Sequence, residues 1–200
     1  MRNQNLNMLT EEERKAYFEI QHKIRSERKP RKPKKLPEVR SHEYCLNLFS
    51  KAKSPRDKIL LELIYYCGLR VSEALNVSVD DIDFKESIVK VMKGKGNKQR
   101  LVPIPKPLMI DLKAWMSLEN IIENKLFNIK RQQAFNIVKK LDHTIHPHTL
   151  RHSYATYIYG KTKDLKGVQD LLGHESMNTT SIYAHISVED KKKMIKEVFE

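Results

Sequence analysis

Cysteine is scarce: Cys45 and Cys67 are the only two in 200 residues. A disulfide-built scaffold needs more, and both lie in apolar helical patterns, so buried free thiols are expected. The chain also lacks any run approaching the ~20 apolar residues that a membrane-spanning helix requires, and it shows no signal-peptide pattern. A soluble protein working in the cytoplasm is the expectation. No sequence unit repeats. Acidic residues are outnumbered, 25 Asp and Glu against 38 Lys and Arg, for a formal net charge of +13. That imbalance calls for a polyanionic partner, nucleic acid first and an anionic membrane surface second. Charge alone names no activity, and a solvated basic face is the plain alternative.

Residues 1–35 differ in composition from the rest. Thr10-Glu11-Glu12-Glu13 is a capping-box pattern, from which a helix is expected over Glu11 to about Lys29. Its apolar face is weak (Tyr17, Phe18, Ile24), and it runs into the cations Arg28, Lys29, Arg31, Lys32, Lys34 and Lys35. Prolines at 30, 33 and 37 end any helix, so the stretch reads as an extended basic arm or linker. Its cations are expected to touch phosphates, against the alternative of a disordered solubilising tail.

The remainder, residues 36–200, is long enough to bury a core. Ser41 and Ser54-Pro55 have the chemistry of helix starts, and Gly68 that of a helix stop. Ile59, Leu60, Leu63, Ile64 and Cys67 repeat at helical spacing between the last two, and a short helix is expected around 72–76. Ser87 to Lys93 and Arg100 to Ile104 alternate as strands, with Gly94 to Gln99 as their turn; Asp80 to Phe84 is a candidate third strand. Helical patterns follow over about 107–119, 130–141, 148–159, 164–172, 178–184 and 187–199. The expected fold is mainly α with a small antiparallel β-sheet, an α+β domain.

Several segments carry chemistry. Arg70 follows the glycine stop at the start of a short helix, where its guanidinium can grip two phosphate oxygens as a fork. Glu73, one turn on, shares its face and can hold it; taken alone, such a pair is usually a surface ion pair. The loop carrying Lys93, Lys95, Lys98 and Arg100 lacks the Walker spacing and sits in a hairpin, so nucleotide binding is rejected. A lysine on such a glycine-rich tip can instead reach a DNA groove and protonate a leaving oxygen, or simply be solvated. His148 and Arg151 are three residues apart at the opening of a helix, whose N-terminus itself attracts phosphate. His143, His146 and His152 crowd the same region without a zinc-ligand spacing, so no metal is expected. His152 is expected to pack or hydrogen-bond inside the domain. His174 follows Leu171-Leu172-Gly173 on a helix-ending turn, where a histidine is usually structural. Tyr183, nine residues on, needs neighbouring cations or a proton acceptor to become a nucleophile; Tyr154, Tyr157 and Tyr159 read as filler. Two cationic donors, two imidazoles and a phenol together are what a tyrosine attack on a DNA phosphate needs, without a metal.

These segments resemble the catalytic domain of the tyrosine recombinase (phage integrase) family, in its Xer-like branch. The matching stretches are Gly68 to Leu75, Gly94 to Pro103, Pro147 to His152, Leu171 to His174 and Thr179 to His185, in the family's order across about residues 38–195. The resemblance implies that Tyr183 attacks the scissile phosphate to give a 3′-phosphotyrosine, and that Arg70 and Arg151 neutralise the transition state. It further implies that Lys95 protonates the departing 5′-oxygen, that His148 moves the tyrosine proton, that His174 hydrogen-bonds a non-bridging oxygen and that Glu73 supports the set. Neither cofactor nor ATP is implied. The partner would be double-stranded DNA, bound by four protomers on two sites, with the C-terminal helix (Val188, Met194, Ile195, Val198, Phe199) docking on a neighbour or, alternatively, on its own domain.

Family members usually carry a helical core-binding domain of about a hundred residues ahead of this one, and 35 residues are too few for an independent core. Either the arm stands in for it, or the chain is a fragment, or an accessory protein supplies it. Alternatives to a site-specific recombinase are a type IB-like DNA-relaxing enzyme and a non-catalytic DNA-binding accessory protein.

Overall fold

A computed structural model describes residues 10–12, 14–16, 18–19, 37–92, 99–121, 125–173 and 188–200. The chain divides into two units, Met1–Leu36 and Pro37–Glu200. In the first, the described residues between 11 and 19 are helical, opened by the Arg14 N–H donating to the Thr10 carbonyl at 3.0 Å. The rest of the expected helix and the arm cations Arg28, Lys29, Arg31, Lys32, Lys34 and Lys35 lie outside the described residues.

The second unit begins with α1 (His42–Ser50), whose cap is the Ser41 hydroxyl accepting from the Tyr44 N–H at 3.1 Å. Helix α2 (Pro55–Tyr66) starts on a proline, which costs no hydrogen bond in a first turn. From Ile59 to Tyr66 every residue is buried. A helix buried on all sides, apolar there but for Glu62, belongs in the middle of a fold, and α2 packs against α1, the short α3 (Val71–Asn76), α4 (Lys106–Leu118), α5 (Arg131–Leu141) and α6 (Pro147–Thr162).

Between α3 and α4 lies a three-stranded antiparallel sheet, β1 (Ile82–Asp83), β2 (Ile88–Met92) and β3 (Gln99–Pro103), in that order. The expected third strand is shorter than the sequence pattern suggests because Val79–Asp81 forms a 3₁₀ turn. In the register Val89 faces Val102 and Val91 faces Arg100. All four are buried, while Lys90 and Met92 point to the exposed face. Helices α7 (Leu165–Leu172) and α8 (Val188–Phe199) complete the unit; the pattern at 178–184 lies outside the described residues. Helix α8 packs on α6 and β3 of its own domain, burying Ile195 and Val198. Phe199 joins an aromatic cluster, its ring 5.0 Å from that of Tyr66 and 6.4 Å from that of Tyr154. The stripe that suggested docking on a neighbour is thus covered within the chain. Cys45 and Cys67 are both free and buried. Among the described residues no helix is long and apolar enough to cross a membrane.

The turn after α2 sets the path of the backbone into α3. Gly68 has φ +58°, and a Cβ there would sit 2.6 Å from two carbons of the Tyr154 ring. Both effects penalise a side chain: about 1–2 kcal/mol for the left-handed backbone and about 1–3 kcal/mol for overpacking. Gly68→Ala is expected to lower unfolding stability by about 2–5 kcal/mol on these two grounds. A urea midpoint equal to wild type would refute this account of the turn.

Candidate active site

The Gly68 turn delivers Arg70 to the cap position just before α3, and one carboxylate organises the groups that gather there. Glu73 Oε2 accepts from the Arg70 backbone N–H at 2.8 Å, capping the helix, while Oε1 accepts from Arg70 Nη1 at 2.8 Å. Arg100, reaching in from β3, places Nη1 3.0 Å from Oε1 and Nη2 2.8 Å from Oε2. Arg151 Nη1 stands 3.7 Å from Oε2. Three guanidinium groups therefore share one carboxylate. The side chains of Arg100, Arg151 and Glu73 are only 6, 7 and 10 % exposed, whereas Arg70 is 41 % exposed.

The electrostatics reflect that packing. Burial by itself raises the Glu73 pKa, but the Arg100 hydrogen bonds and charge, with the two bonds from Arg70, outweigh it and hold the group at about 2. Burial, then repulsion from Arg70, lowers Arg151 to about 10, which leaves it charged at neutral pH. Three positive charges against one negative leave an excess of two among these four groups, screened least at the buried Arg100 and Arg151, which suits the cluster to an anion.

Arg151 is held as well as buried. Nη1 donates to the Gly68 carbonyl and Nη2 to the Leu172 carbonyl at 2.9 Å. These carbonyls stand at the C-terminal ends of α2 and α7, where helix dipoles concentrate negative potential. One guanidinium thus pins two helix ends to α6. At the opening of α6, Pro147 takes the first position and His146 Nδ1 accepts from the Thr149 N–H at 3.2 Å. His148 comes next and faces solvent, its ring 6.2 Å from that of His146 and 6.4 Å from that of His152. Partial burial first, then His146, His152, Arg151 and Arg131, lower its pKa below the usual histidine value. A neutral imidazole of this kind can accept a proton.

The structure brings Arg70, Glu73 and Arg151 together and sets His148 on the opening turn of the same helix as Arg151. Lys93, Lys95, Lys98, His174 and Tyr183 lie outside the described residues. Two expectations change. Arg100, read as a DNA contact, is buried with both Nη groups committed to Glu73. Strand alternation carries the signal for this, because Arg100 shares the inward face of β3 with Val102. His152, expected inside the domain, is exposed because it lies one turn after His148 on the outer face of α6, while Arg151, Tyr154 and Ile158 point inward. Among the described residues no group of three or more His, Cys, Asp or Glu is arranged to hold a metal ion.

The sequence profile of the phage integrase family matches residues 41–190. A tyrosine recombinase of Thermosipho africanus is 36 % identical over 182 residues, covering 84 % of this chain and 64 % of that protein. One from Pseudothermotoga lettingae is 38 % identical over 159 residues, covering 74 % and 56 %. Tyrosine recombinase XerA of Pyrococcus horikoshii is 31 % identical, covering 92 % and 70 %. The chain thus spans less than two thirds of the first two relatives. Among solved structures, the XerA recombinase superposes with a TM-score of 0.63 at 28 % identity, covering 82 % of this chain and 65 % of that one. XerH bound to its difH substrate, a pre-cleavage complex, gives 0.62 at 27 % identity, covering 72 % and 49 %.

Proposed function

Because the chain belongs to the phage integrase family, we propose that it is a site-specific DNA recombinase acting through a 3′-phosphotyrosine. The observation that carries this reading is the cluster of Arg70, Arg100 and Arg151 on the single carboxylate of Glu73, with Arg70 at its exposed side. Double-stranded DNA is the proposed partner, which the net charge of +13 and the likeness to XerH on its difH substrate both support.

In the reaction the Tyr183 oxygen forms a bond to the scissile phosphorus and its proton passes to His148. The bond from phosphorus to the 5′-oxygen breaks, and Lys95 supplies the proton that oxygen takes up. Arg70, the exposed member of the cluster, and Arg151, the fixed one, neutralise the extra charge on the non-bridging oxygens. His174 donates to one of those oxygens. The new phosphodiester to tyrosine keeps the energy of the old one, so a second 5′-hydroxyl can reverse the step without ATP. Lys93, Lys98 and the arm cations would hold the flanking phosphates. Recombination requires several protomers, and a contact through α8 requires that helix to leave its own domain, where Phe199 now packs.

Covalent capture tests the reading. The protein is incubated with supercoiled plasmid and fragmented host DNA in EDTA without ATP, then quenched with detergent. Protein-linked DNA is expected, with free 5′-hydroxyl ends and the adduct on the peptide containing Tyr183. Sequencing the captured ends gives the site, and strand exchange that needs two copies of it separates recombination from simple relaxation. Cleavage without a protein link, or a link to another residue, refutes the proposal.

A further inference from the structure

We propose that Arg100 is a positioning residue of this site, a side chain that sets β3, α3 and the end of α7 against one another; the inference rests on the recombinase reading. Its fork to Glu73 joins β3 to α3, and the same two carboxylate oxygens accept from the backbone and side chain of Arg70. The carboxylate that orients Arg70 is thereby held from a strand residue 27 positions beyond Glu73. Arg100 also stands on β3 one residue after Gln99, paired with Val91, so the β2–β3 pair is tied to the same carboxylate. On its third side the guanidinium arm rests on Gly173, the end of α7. A Cβ there would lie 2.9 Å from Arg100 Cδ and 3.2 Å from Nε. Gly173 has φ +66° and leads directly into His174.

Two other roles fit these facts less well. A phosphate contact needs a guanidinium whose charge is free to meet the phosphate, whereas Arg100 spends its fork on the Glu73 carboxylate and its remaining Nε–H is buried; Arg151, by contrast, is held by neutral carbonyls. A purely stabilising role fits poorly because a buried ion pair gives little net stability over an apolar pair of similar size. Arg100 also adds to the repulsion on Arg151. What a bidentate pair does supply is a fixed geometry, and chemistry at phosphorus depends on geometry.

The test compares wild type with Arg100→Lys, which keeps the charge but loses the fork, and with Arg100→Met. Single-turnover cleavage is read on a saturating short duplex carrying the captured site, per folded molecule. Arg100→Lys is expected to slow it by about 10–100-fold, as misplaced catalytic groups do. DNA affinity should stay within about twofold of wild type with an unchanged salt slope, since no phosphate contact is lost. A salt slope lower by about one with cleavage retained would make Arg100 a DNA contact and overturn the proposal. Unchanged cleavage with only lower thermal stability would overturn it too. A readout independent of turnover is the NMR titration of the Glu73 carboxyl together with the Nε–Hε resonances of Arg70 and Arg151. In Arg100→Lys the carboxyl should titrate at higher pH and both arginine resonances should move. If wild type forms no adduct the functional reading falls, yet unmoved resonances in this second experiment would still defeat the positioning role by themselves.

Discussion

Arg151→Ala is expected to reduce strand cleavage by about 10³–10⁵-fold, the range seen when an arginine that stabilises a phosphoryl transition state is removed. The size comes from how Arg151 is held. Its two Nη groups are fixed by the Gly68 and Leu172 carbonyls, so the charge is in place before the phosphate arrives and no reorganisation is needed during the reaction. Its burial lowers its pKa to about 10 without discharging it, and a buried charge acts more strongly on the phosphorane than an exposed one. Arg70, with its side chain 41 % exposed, is the better hydrated of the two and is expected to lose less on substitution. Because the alanine variant also leaves two helix-end carbonyls without donors, Arg151→Lys is the companion: it retains a cation but cannot reach both carbonyls at once. Rates are compared per folded molecule, with DNA binding measured separately. An alanine variant that folds, binds DNA and cleaves within tenfold of wild type would exclude Arg151 from the transition state.

Local signals in the chain located most of this architecture. Ser41, Ser54-Pro55 and Gly68 mark helix ends because capping chemistry is set by near neighbours. The alternation in Ile88–Met92 marks a strand because only one face of the sheet meets the core. Arg70 and Glu73 are one turn apart, so their pairing is also legible. Contacts between distant segments are not. The clamp of Arg151 depends on the ends of α2 and α7, which are 83 and 21 residues away. The burial of Arg100 on Glu73 is hard to read for a related reason: basic residues beside glycines in a hairpin suggest a solvated tip, although the strand phase points Arg100 inward beside Val102. His152 shows the same effect on a helix: its neighbour Arg151 is buried, but one residue is about 100° around the axis. The aromatic cluster around Phe199 joins α2, α6 and α8, and no single stretch of sequence announces it.

Glu73→Ala is expected to destabilise the fold by about 3–5 kcal/mol, the cost of breaking a buried ion pair from one side. Among the described residues the carboxylate is the one anion paired with Arg70, Arg100 and Arg151, and without it the buried Arg100 and Arg151 repel each other with little solvent to screen them. The same geometry predicts an acid response. Glu73 titrates at about 2 in the folded chain against 4.5 ordinarily, so its contribution is complete above 4.5 and is lost as pH falls from there toward 2. A shift of that size is worth roughly 3 kcal/mol. Glu73→Gln keeps the volume and one acceptor but cannot titrate. Wild type should therefore lose stability more steeply than Glu73→Gln between pH 5 and pH 3, with the two urea midpoints converging as the carboxyl is protonated. Parallel acid profiles would mean that Glu73 is not the group holding the arginines. Cleavage by Glu73→Gln at neutral pH, read alongside, should fall because Arg70 loses the acceptor at Oε1 or Oε2 that sets its direction. A variant stable enough to assay but as active as wild type would show that the three cations keep their places without their shared anion.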